Sequence, residues 1–154
     1  LTEEQLKALG IELPKANPFE RVKNYDDERT VYFINSMGSV QSGWLDNNSH
    51  YNVANYCTDK AIMEQRALYE TLKRLLWRYS MEHDGDKVEW HNDPHENRTK
   101  AFIYYNHIEK QFGVNTRWDC QFFGCVWFNT YDIAKSAIEE IIKPFIKAHP
   151  EFVL

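Results

Sequence analysis

The sequence predicts an α+β fold built from two tandem strand-strand-strand-helix units packed as one body with antiparallel sheet. Three observations lead there. A capped amphipathic helix, Asn129 to Ile142, hangs on the aromatic strand Phe122 to Phe128. Cys57-Thr58-Asp59-Lys60-Ala61-Ile62 opens a second helix in the same manner after another strand-rich stretch. Thr30 leads to Thr58 over nearly the same length as Lys100 leads to Thr130. A chain of 154 residues, 43% of them apolar, can bury one core, whereas neither half could comfortably bury its own. The expectation is a single domain over residues 1–154: a short helix and strap (1–29), a first unit (30–83), a linker (84–99) and a second unit (100–154).

Each element has a local reason. Thr2-Glu3-Glu4-Gln5 fits a capping box, with Thr2 accepting from a backbone amide one turn on and Gln5 reaching back. Gly10 stops that helix, and Pro14 and Pro18 keep residues 11–19 extended. Thr30 to Ile34 and Val40 to Trp44, joined by Ser36-Met37-Gly38-Ser39, read as a hairpin. Tyr51 to Cys57 reads as a weaker third strand, and Thr58 as the cap of a long helix reaching about His83. Along that helix Ala61, Ile62, Leu68, Leu72, Leu75, Leu76 and Tyr79 recur at helical spacing, and Gly85 is its expected left-handed stop.

The second unit follows the same plan. Ala101 to Tyr105 and Phe112 to Trp118 form a hairpin, and the continuously apolar Phe122 to Phe128 reads as a central strand or one covered on both faces. Thr130 or Asn129 caps the last helix, which carries a wide apolar stripe through Ala134, Ala137, Ile138, Ile141, Ile142, Phe145 and Ile146.

Composition narrows the function classes. No apolar run approaches the roughly 20 residues of a membrane helix, and Leu1-Thr2-Glu3-Glu4 lacks the features of a signal peptide. A cytoplasmic protein without membrane contact is the expectation. Cys57, Cys120 and Cys125 are odd in number and read as reduced thiols. A net charge of -5 argues against general nucleic-acid binding, which needs surplus Lys and Arg. Phosphate loops, nucleophile elbows and His-Glu-x-x-His patterns are missing, so the reading is of a protein that is not an enzyme and uses no cofactor.

Two sets of residues carry the remaining chemistry. His91 and His95, with Asp93 and Glu96, could offer imidazole and carboxylate ligands to a divalent ion, and a metal-dependent hydrolase would need them to converge with His50 or His107. Pro94 inside the spacing keeps the two histidines off one helical face, so a solvated linker is preferred. The aromatics are the stronger signal, because five Trp, nine Tyr and nine Phe exceed what so small a body needs for packing. Trp44, Tyr51, Trp90 and Trp118 lie near turns and are candidate binding anchors. Arg117 and Arg98 could supply a cation for a phosphate or carboxylate.

Val31 to Phe33, Gly38, Trp44, Trp90, Phe102 to Tyr105, Val126 to Thr130 and Ala134 to Ile141 together resemble small accessory proteins of phages and prophages of Gram-positive bacteria. A departure is Asn52 to Tyr56, where a glycine is expected before the cap. That group has no assigned chemistry, and the resemblance implies a setting: a phage gene acting inside a bacterial cell. Three functions follow. The first is a non-catalytic binder, with possible self-association, that inhibits a host defence component such as a CRISPR nuclease. The second is a sponge for a nucleotide signal, and the third is the metal-dependent hydrolase on His91 and His95.

Overall fold

The computed structural model describes residues 2–12, 16–22, 29–43 and 48–154, so Pro14 and Trp44 lie outside the described residues. It is an α+β chain with antiparallel sheets that divides into two compact units, Leu1–Glu64 and Gln65–Leu154. The division falls inside the long helix rather than in the 84–99 connector.

In the first unit, helix α1 (Glu3–Ala8) starts from the expected capping box: the Gln5 amide donates to Thr2 Oγ1 and the Thr2 amide to Gln5 Oε1. Strands β1 (Val31–Ile34) and β2 (Val40–Gly43) form the hairpin, with Val31 opposite Gly43 and Ile34 opposite Val40. Its turn is organised by Asn35, whose side-chain oxygen accepts from the amides of Met37 and Ser39. Val22, Val31 and Tyr56 form the small core, and the Tyr56 hydroxyl accepts from the Val22 amide at 2.8 Å.

The third strand expected over Tyr51 to Cys57 is not formed as such. Asn48–Asn52 is instead a short helix, α2, and the amides of Ala54 and Asn55 are committed to its carbonyls at Tyr51 and His50. Ala54 takes φ +56°, the left-handed region where the resemblance called for a glycine nearby. What survives is one antiparallel bridge, Tyr32 with Cys57, extended by a side chain in place of a backbone. The Ile34 amide donates to Asn55 Oδ1 and Asn55 Nδ2 donates to the Ile34 carbonyl, both at 2.8 Å.

Thr58 is not the helix cap either. Its amide and hydroxyl both donate to the Pro18 carbonyl, and Asp59 Oδ1 accepts from the Ile62 amide at the start of α3 (Lys60–Glu82). A carboxylate at that position also suits the helix dipole.

The second unit takes α3 from Gln65 onward. Strands β3 (Lys100–Asn106), β4 (Gln111–Arg117) and β5 (Trp127–Phe128) form a sheet in the order β4-β3-β5, every pairing antiparallel. The central strand is therefore β3, not the run from Phe122. That run is interrupted by Gly124 at φ +75°, and the Cys125 amide turns back to the Phe122 carbonyl, so only its last two residues pair.

Thr130 caps α4 (Tyr131–Ala137), its hydroxyl accepting from the Ile133 amide. The rod continues through a wide turn over Ile138–Ile142, where the Lys143 amide reaches back to Ile138, into α5 (Lys143–Ala148). Pro144 explains the widening. It has no N–H for a carbonyl one turn back, and a π-type turn carries the helix across it.

Ala101 and Phe128 from the sheet meet Tyr79, Ala134 and Ala137, and Leu72 meets Ile138, Ile142 and Phe145. Full burial of a side chain such as Phe128 contributes about 2–3 kcal/mol, so this interior is where the unit's stability resides. Ser80 of α3 donates to the Trp127 carbonyl at 2.6 Å, and Gln65 holds the C-terminal segment by donating to the Glu151 carbonyl and accepting from the Val153 amide.

The end of α3 departs from expectation in an informative way. Asp84, not Gly85, adopts the left-handed conformation, at φ +62°. Gly85 is needed for space, since a Cβ there would lie 2.4 Å from the Ser80 carbonyl oxygen. Gly85→Ala should cost about 1–3 kcal/mol as an overpacked site, read from the shift of a urea unfolding curve. An unmoved midpoint would show that the helix end relaxes at no cost.

Candidate functional site

The inner face of the second sheet is spent on the core, so strand alternation assigns Lys100, Phe102 and Tyr104 of β3 to the opposite face. Their partners on β4 are Arg117, Asn115 and Gly113, and Trp127 of β5 stands opposite Phe102. The small residue has a purpose here: the Tyr104 ring lies across Gly113, where a Cβ would come within 2.5 Å of it.

A closed cluster of rings forms on this face. Trp127 meets Trp90 edge-on at 4.9 Å and Phe102 at 5.2 Å, and Phe122 meets Phe102 edge-on at 5.1 Å while stacking on Trp127 at 5.9 Å. Edge-on ring pairs of this kind add about 0.5–1.5 kcal/mol beyond the area they bury. Trp127 Nε1 is buried without a hydrogen-bond partner among the described residues.

Two cations flank the cluster. Lys100 is only 3% exposed; its ammonium stands 4.3 Å from the centre of the Trp90 ring and donates to the Arg98 carbonyl at 2.9 Å. Arg117 lies over Phe122 at 5.9 Å. On this face Tyr104 (44%) and Phe122 (41%) present rings to solvent, and Trp118 (50%) and the fully exposed Phe123 are the next residues in the chain after Arg117 and Phe122.

The residues singled out from sequence distribute unevenly. Trp90 and Arg117 belong to this cluster, and Trp118 follows β4 directly. Arg98 gives its carbonyl to Lys100, while its side chain borders a polar hollow of about 740 Å³ together with His91, His95, Glu89 and Glu96. Tyr51 belongs to the first unit, edge-on to Tyr56 and under Arg21. Trp44 lies outside the described residues.

The histidine cluster is a folded loop. Asn97 pairs through its side-chain amide with both backbone groups of His91, and Asp93 Oδ1 accepts from the His95 amide. His91 stands 3.5 Å from Glu89 and 3.6 Å from Glu96. His50 stacks on Phe33 in the first unit, and His107 sits edge-on to Tyr105. Among the described residues no group of three or more His, Cys, Asp or Glu is arranged to hold a metal ion.

No known protein family, curated protein or solved structure matches this chain. The site therefore rests on its own geometry. Sequence reading missed Lys100, Phe102, Phe122, Phe123 and Trp127 as members of it. The signal available was the alternation Lys100-x-Phe102-x-Tyr104 opposite the core residues Ala101 and Ile103, which makes the second face as ring-rich as the first.

Burial holds the Lys100 ammonium below its ordinary pKa of 10.5, with Glu89 opposing the shift. The unfolded chain then keeps that proton to higher pH than the folded one, so this residue's contribution to stability rises as pH climbs toward 10.5. The unfolding free energy of wild type relative to Lys100→Met should therefore move in favour of wild type as the pH is raised through the alkaline range to 10.5. A difference that stays flat across that range would mean that Lys100 titrates alike in both states.

Proposed function

We propose that this is a non-catalytic binding protein that docks a partner protein on the outer face of its second sheet. The observation carrying the reading is a well-packed ring cluster flanked by Lys100 and Arg117, with Tyr104 and Phe122 exposed on the same face and the exposed Trp118 and Phe123 next in the chain to Arg117 and Phe122. Large rings beside a cation are the residues that dominate protein interfaces, and exposed apolar groups gathered on one face mark such surfaces. A net charge of -5 would steer the protein toward a basic partner. The resemblance to phage accessory proteins puts that partner in the bacterial cytoplasm, as a defence component that binding would inhibit.

The tandem-unit reading belongs to the same proposal, because both units share one order of pairing. In each, a hairpin's first strand accepts an antiparallel segment on its other edge, Cys57 on Tyr32 and Trp127–Phe128 on Ala101–Phe102. In each, a helix follows at once, capped by Asp59 or Thr130. The parallel is one of topology, and duplication of an ancestral unit accounts for it.

Affinity capture from host lysate, followed by binding measurements with the purified captured protein, tests the function. Trp118→Ala combined with Phe123→Ala should weaken that binding by tenfold or more while leaving the melting temperature within a degree or two, since both rings are on the surface. Undiminished binding by the double variant would remove this face from consideration.

A further inference from the structure

The second unit has a concave surface beside the ring cluster, sharing only Trp127 with its four rings. A groove of about 570 Å³ runs between α3 and the Gly124–Trp127 segment, within the size range of small-molecule sites. We propose that this groove binds a nucleotide, with the base against Trp77 and the phosphate held by Lys73 and Arg74. The reading is independent of the protein-docking face.

The first argument is charge. Lys73 has no carboxylate partner among the described residues, and its ammonium rests against the segment opposite, 3.4 Å from where a Cβ on Gly124 would stand. The one carboxylate lining the groove, Glu70, is already engaged by Arg66 at 2.6 Å and lies 3.9 Å from Arg74. The groove therefore has surplus positive charge on a chain that is acidic as a whole, which selects an anionic occupant.

The second argument is the ring. Trp77 is 61% exposed and lies one helical turn beyond Lys73, an axial rise of about 6 Å. That separation is of the order of the sugar that stands between a base and its phosphate. An indole face accepts a planar base by stacking, worth about 1–3 kcal/mol in nucleic-acid complexes. Met81, one turn further along, extends the apolar end of the groove, and Trp127, whose indole N–H has no partner among the described residues, lines it as well.

Cys125 gives the test a second readout. It lines the groove, is half-buried, and its thiol pKa is raised by burial, with Lys73 acting in the opposite direction. A bound nucleotide should shield it from alkylation. Cys120 is exposed and Cys57 buried, so Cys120→Ser leaves Cys125 as the accessible thiol.

Titration calorimetry on the whole chain should compare nucleoside monophosphates, dinucleotides and cyclic forms with the parent nucleosides, inorganic phosphate and phosphotyrosine. The expected result is saturable one-to-one binding of at least one nucleotide, at least tenfold tighter than its nucleoside or phosphate alone. That nucleotide should slow alkylation of Cys125. Lys73→Gln and Trp77→Ala should each weaken binding about tenfold, and Trp118→Ala should leave it unchanged. The proposal is overturned if no nucleotide gives saturable heat, if binding survives both groove substitutions, or if phosphate or phosphotyrosine binds as tightly as any nucleotide. Loss of binding in Trp118→Ala alone would move the ligand to the ring-bearing face and overturn it too.

Discussion

The constraint on which this structure depends is the pairing of backbone amides where strands run out. An intramolecular hydrogen bond contributes about 0.5–1.5 kcal/mol net, and the sheets here are short, so ladders end early. Side-chain carboxamides take over. Asn55 supplies both halves of a rung to Ile34, Asn97 does the same for His91, and Gln65 holds Glu151 and Val153 together. A carboxamide suits the role because its oxygen accepts and its NH2 donates toward the same side, as the N–H and C=O of a single strand residue do. Such rungs let the chain close a turn or fasten a terminus without spending a strand on it.

The same economy shapes the second sheet. β5 is only two residues long, and the outer face of β3 beside it is covered by rings. Trp90 arrives from the connector after α3 and Phe122 from the segment before β5, so the face is assembled from three parts of the chain. Lys100 completes it by placing an ammonium over Trp90, where ring attraction and the Arg98 carbonyl offset part of the cost of burial. The cost not offset is what lowers its pKa.

Periodicity made much of this legible. The long helix, both hairpins and the Thr130 cap follow from apolar spacing and from side chains whose local hydrogen bonding has few alternatives. What escaped sequence reading was decided by competition between local and distant partners. Thr58 is a good cap in isolation, yet the Pro18 carbonyl claims its hydroxyl and passes the role to Asp59. Tyr51 to Cys57 has a strand's alternation, yet α2 takes its first residues and the bonds from Ala54 and Asn55 consume the next amides. The apolar stretch before Phe128 has the composition of a central strand, and a single left-handed glycine turns most of it away from β3. The aromatic surplus pointed to a surface of rings and to Trp90, Arg117 and Trp118, but which rings close on one another depends on strand register, which no local pattern encodes.

The segment from Phe122 to Trp127 bears on both surfaces at once. Its first ring belongs to the sheet-face cluster, and its remaining residues from Gly124 line the groove beside α3. At its far end it is fixed by β5, through the buried Phe128 and the Ser80 hydroxyl on the Trp127 carbonyl. Gly124 provides the turn between the two roles, and Lys73 stands against that turn. A side chain at position 124 would strain the backbone, so the turn that separates the ring from the groove lining depends on this glycine. Two surfaces of different chemistry, one of rings and one a cation-lined groove, are in this way built from one short stretch of chain, anchored at a single strand.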